Sequence, residues 1–225
     1  MDSISILFVL SYMEASMMIY LKWLLFCIPD LGMQIIGKAI CWILPFFVKT
    51  ERNADGTIDW KTDGSARIAN LPKWLSWFQT DDHDCDGDKG SWQRHPGTSA
   101  WQTYVRRTAW FFRNTGYNFS INVLGIPVYG KKNTEHTPDE LIVTGNPDAS
   151  DTNGISGSVF RRVNREGKFI AFQWYYIKHY SFWKITACIR IGIGWKLWGA
   201  WYENEGKTAQ HMMYFNLVKC FTWNK

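Results

Sequence analysis

Between Ile4 and Val48 the chain carries four charges, Glu14, Lys22, Asp30 and Lys38, in sequence that is otherwise apolar or weakly polar. A stretch of that character must leave water, either into a protein core or into lipid. Its uncharged runs are Ser3–Met13, Ala15–Leu21, Trp23–Pro29, Leu31–Gly37 and Ala39–Val48. None reaches the roughly 18 residues of a self-sufficient spanning helix, and the charges between them are spaced so that long side chains can snorkel to a polar boundary. Pro29 and Gly32 divide the region into two pieces, which predicts a helical hairpin or an interfacial helix at a bilayer; the soluble alternative is a buried N-terminal helix pair. A basic start followed by a small-residue cleavage site is absent, so the segment is expected to be retained. Lys49, Arg52 and Lys61, diluted by Glu51, Asp55 and Asp59, place the downstream domain on the cytoplasmic side of a membrane. The expected division is thus a membrane-embedding helical segment, 1–48, and a domain, 49–225.

The net charge is +5, and since Asp2, Glu14 and Asp30 outnumber Lys22 and Lys38 before residue 48, the remainder carries +6, with Lys and Arg interleaved among acids. Such dispersal points away from nucleic acid, which selects a basic stripe, and toward anionic lipid. The chain holds 14 Trp, and aromatics make up 17% of it, a load that requires a folded domain and suits either a bulky core or a wet apolar boundary. Five cysteines, Cys27, Cys41, Cys85, Cys188 and Cys220, show no C-x-x-C spacing, which argues against a disulfide framework or structural zinc.

Asn53-Ala54-Asp55-Gly56 reads as a turn. Asn70 ahead of Leu71-Pro72 predicts a short helix to Gln79, with Trp74, Trp77 and Phe78 on one face. A second amphipathic helix is predicted over Ser99–Asn114, ended by Gly116, and on it Arg106 and Arg113, seven apart, share a face that could grip phosphate or carboxylate or could be ion-paired. From Tyr117 the period shifts toward two and predicts an antiparallel meander of about five strands. In Trp183–Ile191, Trp183, Ile185, Ala187, Ile189 and Ile191 alternate with Lys184, Thr186, Cys188 and Arg190, so Ile189 is expected to be buried and Arg190→Ser tolerated. Asn164-Arg165-Glu166-Gly167 is expected to join Gly157–Val163 to Lys168–Ile177, and Glu203-Asn204-Glu205-Gly206 to join Trp195–Tyr202 to Lys207–Phe215. A long loop is expected over Lys131–Gly157, interrupted by a strand at Leu141–Thr144.

The candidate for chemistry is Asp81-Asp82-His83-Asp84-Cys85-Asp86-Gly87-Asp88. Carboxylates this dense repel one another unless cations neutralise them. Asp82, Asp84 and Asp86 before Gly87 reproduce the start of a D-x-D-x-D-G calcium loop, with Asp88 the next carboxylate, whereas Gly90 and Gln93 depart from its later positions; the pattern implies a weak Ca2+ or Mg2+ site. Two other readings stand beside it: a solvated acidic loop, and a catalytic metal site in which Asp82, Asp86 and Asp88 join His83 or His95. On the cation reading Asp82→Asn with Asp86→Asn should relieve repulsion and stabilise the metal-free chain. No G-x-S-x-G elbow or G-x-x-x-x-G-K loop is present, and His179 and His211 sit in strand-like sequence where a structural role suffices.

Leu71-Pro72-Lys73-Trp74-Leu75-Ser76-Trp77-Phe78-Gln79-Thr80, then Asp82, Asp86-Gly87-Asp88, then Trp110-Phe111-Phe112-Arg113-Asn114, then Gly194-Trp195-Lys196-Leu197 resemble, in that order, an uncharacterised family of tailed-bacteriophage proteins. The resemblance implies a phage-encoded, membrane-associated accessory protein at the inner membrane of the host, and brings no catalytic residues. Asp81 and Asp84 depart from the family's pattern, which bears against the full calcium motif. The expectation is an α+β fold: N-terminal membrane-associated helices, two short amphipathic helices and a C-terminal antiparallel meander. The expected role is a non-enzymatic binding or remodelling module whose partners are the bilayer and a host or phage membrane protein. The alternative is a metal-dependent hydrolase of a phosphate-containing or lipid-linked substrate, using Asp82, Asp86, Asp88 and His95.

Overall fold

The computed structural model describes residues 3–62, 68–183 and 185–223, with side chains within 16–218. Lys184 and the side chains of Glu14 and Cys220 lie outside the described residues. In chain order the elements are α1 (Ser3–Ile40), a 3-10 turn (Leu44–Phe47), β1 (Lys49–Thr50), β2 (Ala69–Asn70), a second 3-10 helix (Lys73–Phe78), α2 (Lys89–Arg94), α3 (Ala100–Arg113) and α4 (Tyr117–Asn122). Then come β3 (Ile126–Tyr129), β4 (Glu140–Gly145), β5 (Gly157–Arg165), β6 (Lys168–Phe182), β7 (Ile185–Trp195), α5 (Gly199–Tyr202), β8 (Gly206–Ala209) and β9 (His211–Trp223). The fold class is α+β.

The two pieces expected before residue 48 are one helix. Pro29 lies inside α1 and does not end it. The chain forms two compact units, Met1–Cys27 with Gly125–Lys225, and Ile28–Leu124. Residue 48 is therefore not where the units divide; α1 contributes to both.

In the first unit β4-β5-β6-β7-β9 form one antiparallel sheet in that order, and β3 pairs with β8. The β5–β6 hairpin turns as its sequence predicts: Glu166 and Gly167 both take positive φ, at 49° and 73°, the two-residue geometry that matches strand twist. The second predicted hairpin does not form. Residues 199–202 are the helix α5, β8 leaves to pair with β3, and β7 pairs directly with β9, Trp195 opposite His211. Tyr117–Asn122, expected to open the meander, is helical.

The sheet buries both faces. On one, Val159, Tyr175, Ile177 and Cys188 pack with Ala149 from the β4–β5 connection. On the other, Phe172 and Trp195 belong to a core that Ile19, Trp23 and Phe26 of α1 complete. Trp23 Nε1 donates to the Met212 carbonyl at 3.1 Å, fixing the helix to β9.

β7 keeps the expected alternation, its register with β6 unbroken from Ile185 to Gly194, and the shifts on either side of Cys188 place the extra residues on β9. What differs is that the face expected to meet solvent is covered: Cys188 is fully buried with Ala149, Tyr175 and Ile177, while Ile189 is half-buried. Arg190 is no solvent residue either: its Nη1 donates to Asp151 Oδ2 at 2.7 Å and its guanidinium lies 4.3 Å from the Tyr214 ring centre. Arg190→Ser, expected from sequence to be tolerated, should cost about 1–3 kcal/mol by removing a charged hydrogen bond from a half-buried site. Urea melts of the variant and the parent measure this; equal midpoints would refute it.

In the second unit, the 3-10 period of three divides the residues expected on one face. Leu75 and Phe78 pack inward with Leu71, Cys85 and Phe111, while Trp74 and Trp77 share the outer side and are exposed. Asn70 is not a helix cap but lies in β2, and its Oδ1 accepts from Gln79 Nε2. α3 forms as predicted, with Ser99 and Gln102 closing a capping box and Asn114 ending the helix; Gly116, in left-handed conformation, leads directly into α4. α1 approaches closely here, since a side chain at Gly37 would meet Thr115 and Phe78.

Candidate functional site

The acidic loop between the second 3-10 helix and α2 holds the residues singled out for metal binding, and the structure sends their carboxylates to different partners. Asp84 is buried and accepts backbone N–H groups from Ile68, at 3.1 Å, and Asp86, at 2.9 Å. Burial, reinforced by the neighbouring Asp86 charge, pushes its carboxyl above the ordinary range. Asp86 is 0% exposed. Its Oδ1 accepts from Arg107 Nε at 2.9 Å and Arg106 Nη2 at 3.3 Å, and its Oδ2 from Arg107 Nη2 at 3.2 Å. Asp88 caps α2, accepting Ser91 N–H at 2.7 Å on Oδ1, and takes Arg113 Nη2 at 2.9 Å on Oδ2. Asp82 stays at the surface beside His83 Nδ1, 3.1 Å away.

Arg106 and Arg113 do reach this loop from α3, as a seven-residue spacing allows. The anions they grip are the protein's own Asp86 and Asp88. Arg106 is fully buried, gives Nη1 to the carbonyls of His95 and Gly97, and stacks 3.5 Å from the Trp92 ring centre. Burial draws its pKa downward, and the adjacent Arg107 adds to this against the pull of Asp86. Arg107, which the sequence reading passed over, makes the bidentate contact with Asp86 and also donates to Thr50 Oγ1. Only its place beside Arg106 on the helix could have drawn attention to it.

Among the described residues no three of His, Cys, Asp and Glu are arranged to hold a metal ion. The proposed hydrolytic set is not brought to one point: Asp82 is outside, Asp86 is clamped, Asp88 caps a helix, and His95 ends that helix with its carbonyl turned to Arg106. The repulsion that suggested a cation is met by guanidinium groups.

The Asp88 carboxyl is held below the ordinary Asp range: burial alone would raise it, but the Ser91 N–H and the Arg113 guanidinium overcome that. A depressed folded-state pKa contributes stability above the unfolded value, near pH ~3.9, and that stability is lost as pH falls through the folded value. Asp88→Asn keeps a capping oxygen but loses the charge, so its deficit of about 0.5 kcal/mol at pH 7 should vanish at pH ~2. Denaturant melts at both pH values check this; a deficit that persists in acid would assign the effect to the cap alone.

A second feature lies on the outside. α1 turns Ile19, Trp23 and Phe26 inward in the first unit, and Asp30, Gly37 and Ile40 inward in the second. Its opposite side, with Met17, Met18, Leu21, Leu24, Leu25, Ile28, Leu31, Ile35 and Ile36, is exposed, Ile28 to 71%. Ser16–Ile40 is long and apolar enough to cross a membrane. The sole acid in that stretch, Asp30, is 3% exposed and bonded by Gln34. The two cations, Lys22 and Lys38, are exposed, and neither has a carboxylate within ion-pair distance among the described residues. Each lies over an aromatic ring, Phe26 and Phe112 respectively. Further aromatics are exposed within each unit: Phe182 and Trp183 at the β6–β7 turn of the first, and Trp42, Phe46, Trp74 and Trp101 in the second.

A family profile matches the chain over residues 15–223, that of a family of unknown function (DUF7338). No curated protein and no solved structure matches it.

Proposed function

Since the chain belongs to this family, whose activity is unknown, we propose from the chain's own surface that it is a membrane-bound interaction module that lies along a bilayer through the outward side of α1. The observation that carries this reading is the composition of that side over Ser16–Ile40, apolar throughout, edged by lysine and, among the described side chains, without an acid. At 100° per residue Lys22 and Lys38 fall about 160° apart around the helix, one at each border of the exposed apolar arc. A helix lying in the interface needs this arrangement: its apolar arc enters the acyl boundary while lysines on the flanks meet anionic headgroups.

Lying along the surface fits the packing better than crossing. The inward residues of α1 hold to folded protein in both units, so a crossing would draw charged sheet and loop surface into hydrocarbon, where unpaired charge is costly. The resemblance to tailed-phage proteins would make this bilayer the inner membrane of an infected bacterium, with the protein on its cytoplasmic side and a host or phage membrane protein as partner. The buried Asp86 clamp acts in this reading as the brace of the second unit, not as a reacting centre.

Vesicle flotation tests the reading. The full chain should float with vesicles of phosphatidylcholine and phosphatidylglycerol and remain bound in 1 M salt at roughly the apolar share of its affinity, because screening removes only the charge share. Lys22→Gln with Lys38→Gln should weaken binding to these vesicles about thirty-fold, from ~1 kcal/mol per lysine, and leave binding to neutral vesicles unchanged. A full-length chain that stays monomeric in solution and ignores vesicles would overturn the proposal.

A further inference from the structure

Between residues 17–24 of α1 and the sheet lies a cavity of about 550 Å3. Met17, Leu21 and Leu24 form its helix side, Phe160, Phe172 and Ile193 its sheet side, and no charged side chain lines it. We propose that this groove takes one acyl chain of a bilayer phospholipid. The inference rests on the membrane reading above and names the ligand that the bound surface would recruit.

Three observations carry it. The volume falls within the roughly 300–1,000 Å3 of ligand pockets, which is far more than a packing defect. The walls also offer little to a polar ligand: the indole N–H of Trp23 goes to the Met212 carbonyl and that of Trp174 to Ser158 Oγ at 2.8 Å, which leaves the Tyr20 hydroxyl among the polar side-chain groups of the lining. A peptide would bring many backbone N–H and C=O groups into a space with one hydroxyl to pair them, whereas an acyl chain brings none. Finally, Met17, Leu21 and Leu24 are exposed, and they belong both to the cavity wall and to the outward arc of α1. The groove is continuous with the surface proposed to meet the acyl boundary, so a chain can enter it sideways from the bilayer while its headgroup stays at the interface.

The closing test uses the full chain with vesicles of phosphatidylcholine and phosphatidylglycerol containing a phosphatidylcholine spin-labelled near the end of one acyl chain. Electron paramagnetic resonance should show a motionally restricted component saturating at one chain per protein. Ile193→Trp and, separately, Phe160→Trp fill the groove from its sheet side at half-buried positions, away from the outward arc of α1; each should remove that component while flotation stays as in the parent and the melting curve shows a folded chain. Flotation without a restricted component, or a component that survives both substitutions, would overturn the groove and leave the membrane reading standing. Failure to float would overturn both. A spin-labelled free fatty acid immobilised equally well without vesicles would overturn the bilayer as the source of the chain.

Discussion

Asp86→Ala should unfold the Ile28–Leu124 unit or bring it to the edge of unfolding. The carboxylate is fully buried against two guanidinium groups, and removing it leaves Arg106 and Arg107 as uncompensated charges beside the buried Asp84. Breaking a buried pair from one side costs about 3–5 kcal/mol, a large part of a total stability of roughly 5–15 kcal/mol. Arg107 retains Thr50 and Arg106 retains two carbonyls and Trp92, so the arginines stay in place and the loss is electrostatic. A fall in melting temperature of about 6–20 °C is expected for a chain of this size. Asp86→Asn should lose nearly as much, since a neutral amide cannot balance two cations. Asp82→Ala, at the surface, should stay within about 0.5 kcal/mol. Calorimetry on the three variants decides the matter: equal losses at Asp82 and Asp86 would remove the clamp from the account. The double amide variant expected from sequence to gain stability should lose it, because the repulsion that reasoning relied on is already neutralised inside the fold.

That reversal marks how far the sequence could be read. Features set by neighbours along the chain were legible: the span of α3, the Glu166-Gly167 turn, the strand at Leu141 and the meander built on alternation. Features set by distant partners were not. Nothing local says that Asp86 meets residues twenty positions onward, and a run of carboxylates looks the same whether the counter-charge is calcium or arginine. The Cys188 face of β7 was read as solvent-facing for a related reason, since nothing in the strand's own alternation says that the β4–β5 connection brings Ala149 onto that face. At the second predicted hairpin the turn chemistry around Gly206 was real, but β8 found β3 instead of its sequence neighbour. Pro29 was read as a break because isolated helices avoid proline, whereas α1 has packing on both sides of it. The sequence blocks read as resembling tailed-phage proteins hold core positions such as Leu75, Asp86, Phe111 and Trp195, so they speak to fold and not to chemistry.

Leu25→Asp with Ile28→Asp should abolish vesicle binding while leaving the fold intact. Both side chains point outward, so neither charge enters the protein, and a surface change of this kind costs within about 0.5 kcal/mol. In lipid the same charges are expensive: an Asp at a bilayer centre costs ~2.5–3.5 kcal/mol, and at the shallower depth of an interfacial helix about half of that is a fair measure. Two such penalties amount to about 3 kcal/mol, or more than a hundred-fold in partition. Flotation of parent and variant, with far-ultraviolet circular dichroism to confirm equal helix content, measures the effect; unchanged flotation would show that the outward arc of α1 is not the contact. Depth then separates lying from crossing. Met17 and Ile36 are nineteen residues apart, about 28 Å along a helix, so a crossing α1 would carry them to opposite interfaces with Ile28 between them at the centre. A lying α1 keeps all three at one shallow depth. Fluorophores on Met17→Cys, Ile28→Cys and Ile36→Cys, quenched by lipids labelled at graded positions, should therefore report a common depth near the headgroups. A deep Ile28 between two shallow ends would replace the interfacial helix with a spanning one, and the charged surface packed against α1 would then need a partner within the membrane to pair it.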